Sequence, residues 1–339
     1  MNERYSRQIL FPEIGRVGQE KLNNSRVLIV GCGALGASHA EMLSRAGVGK
    51  LRIVDRDFVE FTNLQRQTLY SESDAEERLP KAVAAKNRIA EINSDVEVEP
   101  AVVDINNSNI EGLLDDCDLV LDGTDNFQIR YLLNDACVKR GQIWIYGAAV
   151  SSYGTTMTII PGKTPCLRCI FEDMPDAGTS PTCDTSGVIM PIIASISAVQ
   201  VSEALKILVG DIDSLHRSLV QIDLWQNDWR KIKLNEPRPD CKTCGERSFE
   251  FLDAGEQEFS AVLCGRDAVQ IAPPRPTTFD LAALGERLSS VGSVKSNDYL
   301  VRLNVDGNEI TVFRDGRAII RGTDEIAAAR SLYAKYIGS

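Results

Sequence analysis

From residue 26 onward, short apolar runs alternate with stretches whose apolar positions recur every three to four residues. Arg26–Gly31 (RVLIVG) and Lys50–Asp55 (KLRIVD) read as strands, with Ala34–Ala46 as the helix between them. Pro80–Ile92 reads as a helix, Val96–Asp104 and Asp118–Asp122 as strands, Asn126–Lys139 as a helix and Gln142–Gly147 as a strand. This alternation predicts an α/β fold, a mostly parallel sheet with helices on both faces, because each crossover helix must bury its apolar stripe against the sheet. Tyr153–Ile160, Ser218–Asp223 and Trp229–Leu234 read as antiparallel additions to it.

The turn-rich segment Asn235–Gly245 closes this first domain, placed at residues 1–247. Residues 248–339 read as a separate small α+β domain. It has a helix near Phe279–Leu288, a strand run through Tyr299–Arg321 and a final helix. Asp306-Gly307 and Asp315-Gly316 are hairpin signals, since both central positions of a tight hairpin favour Asp, Asn or Gly.

Two long stretches, Gly141–Gly162 and Thr185–Ser202, carry no charge. The first is interrupted by glycine and rich in Ser and Thr; the second contains Pro191 and Gln200. Both read as buried strands and a buried helix rather than membrane spans. The opening MNERYSRQIL lacks the apolar core of a secretory signal, so the reading is cytoplasmic, with no membrane partner.

Composition narrows the chemistry. The 339 residues include 37 Lys and Arg against 48 Asp and Glu, a formal charge of −11 that argues against a general nucleic-acid binder. Two histidines leave little room for histidine-led catalysis.

Gly31-Cys32-Gly33-Ala34-Leu35-Gly36 directly follows a strand and opens a helix, which makes the sheet Rossmann-like. The first glycine permits the tight turn, the second lets phosphate oxygens approach the backbone, and the third allows close helix–sheet packing. Asp55 lies 19 residues past Gly36, where a carboxylate can accept from a ribose hydroxyl. These features fit a nicotinamide dinucleotide as well as ATP. Asp57, Asn63, Arg66, Gln67 and Lys81 follow, a set suited to gripping a triphosphate: Arg66 and Lys81 neutralise oxygens while Asn63 and Gln67 fix orientation. Asp125, in Asp122-Gly123-Thr124-Asp125-Asn126 at the carboxyl edge of the sheet, is placed to hold Mg²⁺.

The nine cysteines sort by spacing. Cys166-Leu-Arg-Cys169 and Cys241-Lys-Thr-Cys244 are two knuckles whose four thiolates suit a closed, structural zinc site. Cys183 lies in the irregular segment Pro165–Thr185, just before an apolar helix, either as a nucleophilic thiolate or as an inert thiol. Cys32, Cys117, Cys137 and Cys264 read as apolar fillers, and His39 and His216 as structural or solvated residues.

Taken in order, Arg4-Tyr-Ser-Arg7-Gln8, GCGALG, DRDFVEFTNLQRQ (55–67), LPK (79–81), DGTDN (122–126), PCLRC (165–169), TCDTSGV (182–188) and CKTCG (241–245) resemble the ThiF/MoeB/HesA family, bacterial relatives of the ubiquitin-activating enzymes. Leu263-Cys-Gly-Arg-Asp267 and Phe313-Arg-Asp-Gly316 look like the tail of Bacillus-type ThiF and MoeB proteins. The resemblance implies an adenylyltransferase that uses ATP and Mg²⁺ to activate the C-terminal glycine of a ubiquitin-like sulfur carrier, ThiS or MoaD, for thiocarboxylate formation in thiamin or molybdopterin cofactor biosynthesis. It implies that Asp55 holds the ribose, that Asn63, Arg66 and Lys81 engage the phosphates, and that Asp125 binds magnesium. Arg7 matches an arginine that reaches the ATP of a partner subunit, implying a homodimer. Cys183 matches a cysteine that forms a covalent link to the carrier in ThiF-like members. The last ~90 residues hold a single cysteine, Cys264, outside any loop resembling a rhodanese site, so the sulfur donor is expected to act in trans.

Adenylation suits a histidine-poor chain. The attacking α-carboxylate, with a pKa of about 3.5, is already ionised at neutral pH and needs no general base. Two other readings compete: an NAD-dependent dehydrogenase, and a non-catalytic scaffold for a ubiquitin-like partner.

Overall fold

The computed structural model describes residues 3–175, 183–254, 260–263, 268–272 and 278–338. The chain divides into two compact units, Met1–Ala254 and Gly255–Ser339. The division falls at 254/255 rather than 247/248, because Phe249, Phe251 and Leu252 pack into a core of the first unit.

The first unit is built on an eight-stranded sheet: β1 (Arg26–Val30), β2 (Lys50–Val54), β3 (Glu97–Ala101), β4 (Leu119–Asp122), β5 (Trp144–Val150), β6 (Tyr153–Ile159), β7 (Ser218–Asp223) and β8 (Asp228–Lys233). Its order is β3-β2-β1-β4-β5-β6-β7-β8. The first five strands in that order are parallel, and β6, β7 and β8 are antiparallel additions. In β1, Val27 and Ile29 enter one core while Leu28 and Val30 enter the other, as the period of two requires of a strand covered on both faces.

One face is covered by the helices Ala34–Ala46, Lys81–Ile92 and Met190–Val209, the other by Phe127–Arg140. Ala34–Ala46 ends at Gly47, whose φ of 81° is the left-handed cap that glycine tolerates. Lys81–Ile92 starts after Pro80 instead of at it, since Pro80 holds extended backbone and forms a bridge with Phe58. Met190–Val209 is long and apolar enough to cross a membrane by length and composition. Here Ile192, Ile193, Ile196, Val201 and Ala204 are buried in the protein core, together with the polar Gln200 and Glu203.

Two expected elements differ in extent. Val96–Asp104 yields only the strand Glu97–Ala101, because its one sheet neighbour β2 ends at Val54, opposite Ala101, and Asp104 beyond it pairs with Arg56 at 3.0 Å. The irregular segment Pro165–Thr185 contains a helical turn at Leu167–Ile170 that carries one cysteine knuckle. A second, four-residue turn begins at Cys183.

The second unit is a six-stranded antiparallel sheet, β9 (Ser260–Leu263), β10 (Ala268–Ile271), β11 (Ser293–Ser296), β12 (Leu300–Val305), β13 (Asn308–Phe313) and β14 (Ala318–Arg321), in the order β11-β12-β13-β14-β10-β9. The helices Leu281–Leu288 and Ile326–Tyr336 complete its core around Val301, Leu303, Ile310 and Val312. Asp306 and Gly307, at φ 50° and 77°, make the two-residue turn between β12 and β13.

Candidate active site

Strand order reverses at β1, with β2 on one side and β4 on the other, so the switch-point crevice lies outside the carboxyl ends of β1 and β4. Both ends are glycine turns pressed together. The Gly31 amide donates to the Val54 carbonyl at 2.8 Å, and the Gly123 amide donates to the Val30 carbonyl at 2.8 Å. A Cβ on Gly36 would fall 1.9 Å from the Gly31 carbonyl oxygen, and one on Gly123 would fall 2.6 Å from the same atom. Only glycine fits at either position. Gly33 is different, because a Cβ there would meet nothing nearer than 4.0 Å, where Gln67 Nε2 and the Gly123 carbonyl lie. The open side of the loop therefore sits at the N-terminus of Ala34–Ala46, where unpaired amides and the helix dipole favour an anion.

Around this opening the structure gathers most of the residues singled out from sequence. Asp55 receives the Cys32 amide at 2.6 Å on Oδ2 and the Asp57 amide at 2.7 Å on Oδ1. Burial raises its pKa, while the nearby Lys81 ammonium pulls it down. Lys81 opens its helix, is almost fully buried, and places Nζ 3.4 Å from Asp57 Oδ2. Asn63, Arg66 and Gln67 share one tight turn, in which the Arg66 and Gln67 amides both donate to the Asn63 carbonyl.

Within that turn the roles separate. Asn63 is buried and its Oδ1 accepts from the Glu60 amide at 3.0 Å, so its carbonyl builds the turn and only Nδ2 remains for a phosphate. Arg66 spends one guanidinium nitrogen on the Thr62 carbonyl at 2.8 Å. Gln67 is 4% exposed, and its Oε1 is a buried polar atom without a hydrogen-bond partner among the described residues. Such an atom is costly unless a ligand or water completes it. Asp125 is exposed at the mouth of the crevice, within the electrostatic reach of Arg56 and Arg130.

Arg7 is not brought to this cluster. The neighbouring Gln8 donates to the Ala46 carbonyl at 2.8 Å, and the Tyr5 hydroxyl accepts from Asn93 at 2.8 Å. The first contact fastens the segment to the far end of the Ala34–Ala46 helix, roughly 18 Å from the glycine loop at 1.5 Å per residue, and the second ties it to Asn93, which caps Lys81–Ile92 and donates to the Ser44 carbonyl at 2.7 Å. Cys183 starts the turn Cys183–Ser186, and its side chain lies outside the described residues, as does all of Cys264.

The four knuckle cysteines converge. Cys166 Sγ lies 3.9 Å from Cys169 Sγ and 3.6 Å from Cys241 Sγ, and Cys169 Sγ lies 3.3 Å from Cys244 Sγ. All four sulfurs fall within 4.8 Å of one another. A tetrahedral ion with bonds of about 2.3 Å needs sulfurs roughly 3.8 Å apart, so this group fits a metal ion. The Arg238 amide donates to Cys169 Sγ at 3.5 Å and Asn134 Nδ2 to Cys166 Sγ at 3.8 Å, the outer-shell donors that thiolates need. The remaining described cysteines do not join it. Cys32 is buried with its thiol pushed up to about 12 by desolvation, Cys137 is buried, and Cys117 is partly buried.

Several features of this region escape sequence reasoning: Arg56, Asp122, Arg130 and the pairing of the structural His39 with Gln200. Asp122 was visible only as part of its segment, and Arg130 lies eight residues on with no motif to mark it. Gln200 did leave a signal, as a lone amide in a charge-free apolar stretch.

The ThiF family profile matches residues 5–243. The sulfur carrier protein ThiS adenylyltransferase of Bacillus subtilis (strain 168) is 46% identical over 340 residues, covering 100% of both chains. The SAMP-activating enzyme E1 of Haloferax volcanii is 37% identical over 251 residues, 74% of this chain and 92% of that one. The sulfur carrier protein adenylyltransferase of Thermus thermophilus is 36% identical over 249 residues, 72% of this chain and 91% of its own. Among solved structures, E. coli MccB with ATP superposes with a TM-score of 0.63 over 72% of this chain and 75% of that one, at 24% identity, a likeness of fold. On the profile match and these identities, the chain belongs to the ThiF family.

Proposed function

We propose that this protein uses ATP to adenylate the C-terminal glycine carboxylate of a ubiquitin-like sulfur carrier, ThiS or MoaD. The observation that carries the reading is the convergence of Asp55, Lys81 and the buried Gln67 amide on one open glycine loop. Full-length similarity to a ThiS adenylyltransferase supports it. A carboxylate oxygen of the carrier attacks the α-phosphorus of ATP. The bond from that phosphorus to the bridging oxygen breaks, and pyrophosphate leaves with the electron pair. Arg66 and Lys81 hold and neutralise phosphate oxygens, Asn63 Nδ2 and Gln67 Nε2 donate to and orient them, and Asp55 accepts from the ribose. Asp57 holds Lys81 in place, and Asp125 would hold Mg²⁺, which supplies further neutralisation of the triphosphate.

The same reading assigns zinc to the four cysteines as a structural ion, Arg7 to the ATP site of a second subunit in a homodimer, and Cys183 to a covalent link with the carrier during sulfur transfer. The donor of sulfur acts in trans, and the protein works in the cytoplasm. Against a dehydrogenase stands the placement of the histidines. His39 is fully buried on Gln200, and His216 is packed beside Glu203 with 8% of its side chain exposed, so neither offers an acid or base to a nicotinamide.

The test is carrier-dependent exchange of labelled pyrophosphate into ATP with purified ThiS and MoaD offered separately. Exchange with at least one carrier, lost when its terminal glycine is removed, is expected. Exchange with neither overturns the reading, and the preferred carrier names the pathway served.

A further inference from the structure

Two helices send buried polar side chains to one turn, and a third backs one of them. Asp122 ends β4 with its carboxylate fully buried. Oδ1 accepts from the Thr124 amide at 2.9 Å and the Thr124 hydroxyl at 2.7 Å, while Oδ2 accepts from Arg130 Nε at 3.1 Å. Arg130 then reaches across the turn, and its Nη2 donates to the Thr124 carbonyl and, at 3.1 Å, to the Gly147 carbonyl. From the Met190–Val209 helix, Gln200 Nε2 donates to the Asp122 carbonyl at 3.1 Å. Gln200 Oε1 is in turn 2.8 Å from His39 Nε2, on the helix that follows the glycine loop. Asp122, Arg130, Gln200 and His39 are each at most 5% exposed.

Stability alone does not call for this arrangement. Taking a carboxylate and a guanidinium out of water is expensive, and well-packed apolar residues in their place are often no worse. What the ion pair provides is direction. The Thr124 carbonyl belongs to the planar peptide that leads into Asp125, so a donor locked on that oxygen fixes the plane from which Asp125 departs. The guanidinium suits the task because its rigid fork can bind the Asp122 carboxylate and two carbonyls at once.

We propose that Arg130 is a positioning residue for Asp125, holding the Thr124–Asp125 peptide through the buried Asp122 carboxylate so that Asp125 meets the nucleotide's divalent cation. This rests on the reading above that Asp125 holds Mg²⁺. Arg130 does its work without touching the metal or the substrate.

The test is Arg130→Lys, which keeps a cation opposite Asp122 but loses the bridge. ATP binding is measured by calorimetry over a magnesium titration and in EDTA, and amide hydrogen exchange is followed at the 122–126 turn. Expected are a magnesium requirement raised about tenfold, ATP binding in EDTA within about twofold of wild type, and exchange at Thr124 and Asp125 faster by about tenfold. Thr124→Val loosens the same turn while leaving the ion pair, and should move the magnesium requirement the same way by about two- to fivefold. It decides the matter if Arg130→Lys does not fold. Wild-type magnesium dependence in the folded variants overturns the proposal. An Asp125→Asn protein with unchanged magnesium dependence overturns the role of Asp125 itself, a separate failure, and the proposal with it.

Discussion

Lys81 and Asp57 are joined twice: the Lys81 amide donates to the Asp57 carbonyl at 2.9 Å, and its ammonium lies 3.4 Å from the Asp57 carboxylate. The backbone bond fixes where the helix Lys81–Ile92 begins, and the ion pair holds the charge beside the glycine loop. An aligned, nearly desolvated cation stabilises developing phosphate charge more than a hydrated one does.

Lys81→Met keeps the bulk and removes the charge. Carrier-dependent pyrophosphate exchange should fall by about 10²–10³-fold, the usual cost of deleting one preorganised charge-stabilising donor. Thermal stability should fall as well, because the buried Asp55 carboxylate loses the cation beside it, so exchange is read on protein shown to be folded by circular dichroism. An exchange rate within about tenfold of wild type would remove Lys81 from the phosphate site.

The fold was legible where local and tertiary signals agree. Ala34–Ala46 is bounded by Gly33 and Gly47 and carries an apolar face, so pattern and caps name the same residues. Gly15–Asn24 was not read as a helix, because it begins on glycine without a side-chain cap and turns Val17 outward at 67% exposure. In the site, residues adjacent in sequence to the glycine loop, the 55–67 segment and the two knuckles were readable, since their spacing carries their chemistry. His39 was readable as a structural residue, but the role of Arg130 and the partner of His39 were not. They lie in contacts to Asp122 and Gln200 made by three separate helices, and no spacing encodes that.

Burial holds His39 neutral, with its pKa lowered to about 4. Above the unfolded value near 6.5 the two states bind the same number of protons. As pH falls through 6.5 towards 4, the unfolded chain gains a proton that the folded chain refuses, and stability is lost. Between about pH 7.5 and about pH 5 this amounts to about 2 kcal/mol. Urea unfolding of His39→Gln should therefore show a flatter decline over that window than wild type. Equal slopes would mean that His39 is protonated in the folded protein.

Cys241 is one of two buried sulfurs in the four-cysteine group and lies on the later knuckle, which closes the site. Cys241→Ser should lose its zinc and melt well below wild type, because ion binding and folding of the two knuckles are one equilibrium. Elemental analysis of freshly purified wild type should give about one zinc per chain. Purified protein free of zinc, with an unchanged melting temperature, would leave the cysteines without a metal role.

Cys183 separates two halves of the reaction. Adenylation needs only cations around ATP, so Cys183→Ala should exchange pyrophosphate within about twofold of wild type. Thiocarboxylate formation, followed by the mass of the carrier, should fail, and the wild-type conjugate with the carrier should be released by thiol reductant. Full thiocarboxylate formation by Cys183→Ala would make the thiol dispensable.

The placement of Arg7 makes the homodimer testable through catalysis itself. Gln8 and Tyr5 fasten its segment at the far end of the Ala34–Ala46 helix from the glycine loop, and Arg7 is exposed there. Leu10 and Phe11 beside it are 69% and 55% exposed, an apolar surface next to the charge. If Arg7 serves the ATP of a second subunit, Arg7→Ala and Arg66→Ala damage opposite sides of each shared site. Either variant alone should be inactive. Mixed in equal amounts and allowed to exchange subunits, half of the dimers are hybrids, each with one intact site. Activity should then return to about one quarter of wild type. A mixture no more active than its components would place Arg7 outside the partner's site, whereas activity in Arg7→Ala alone would show that adenylation does not need it.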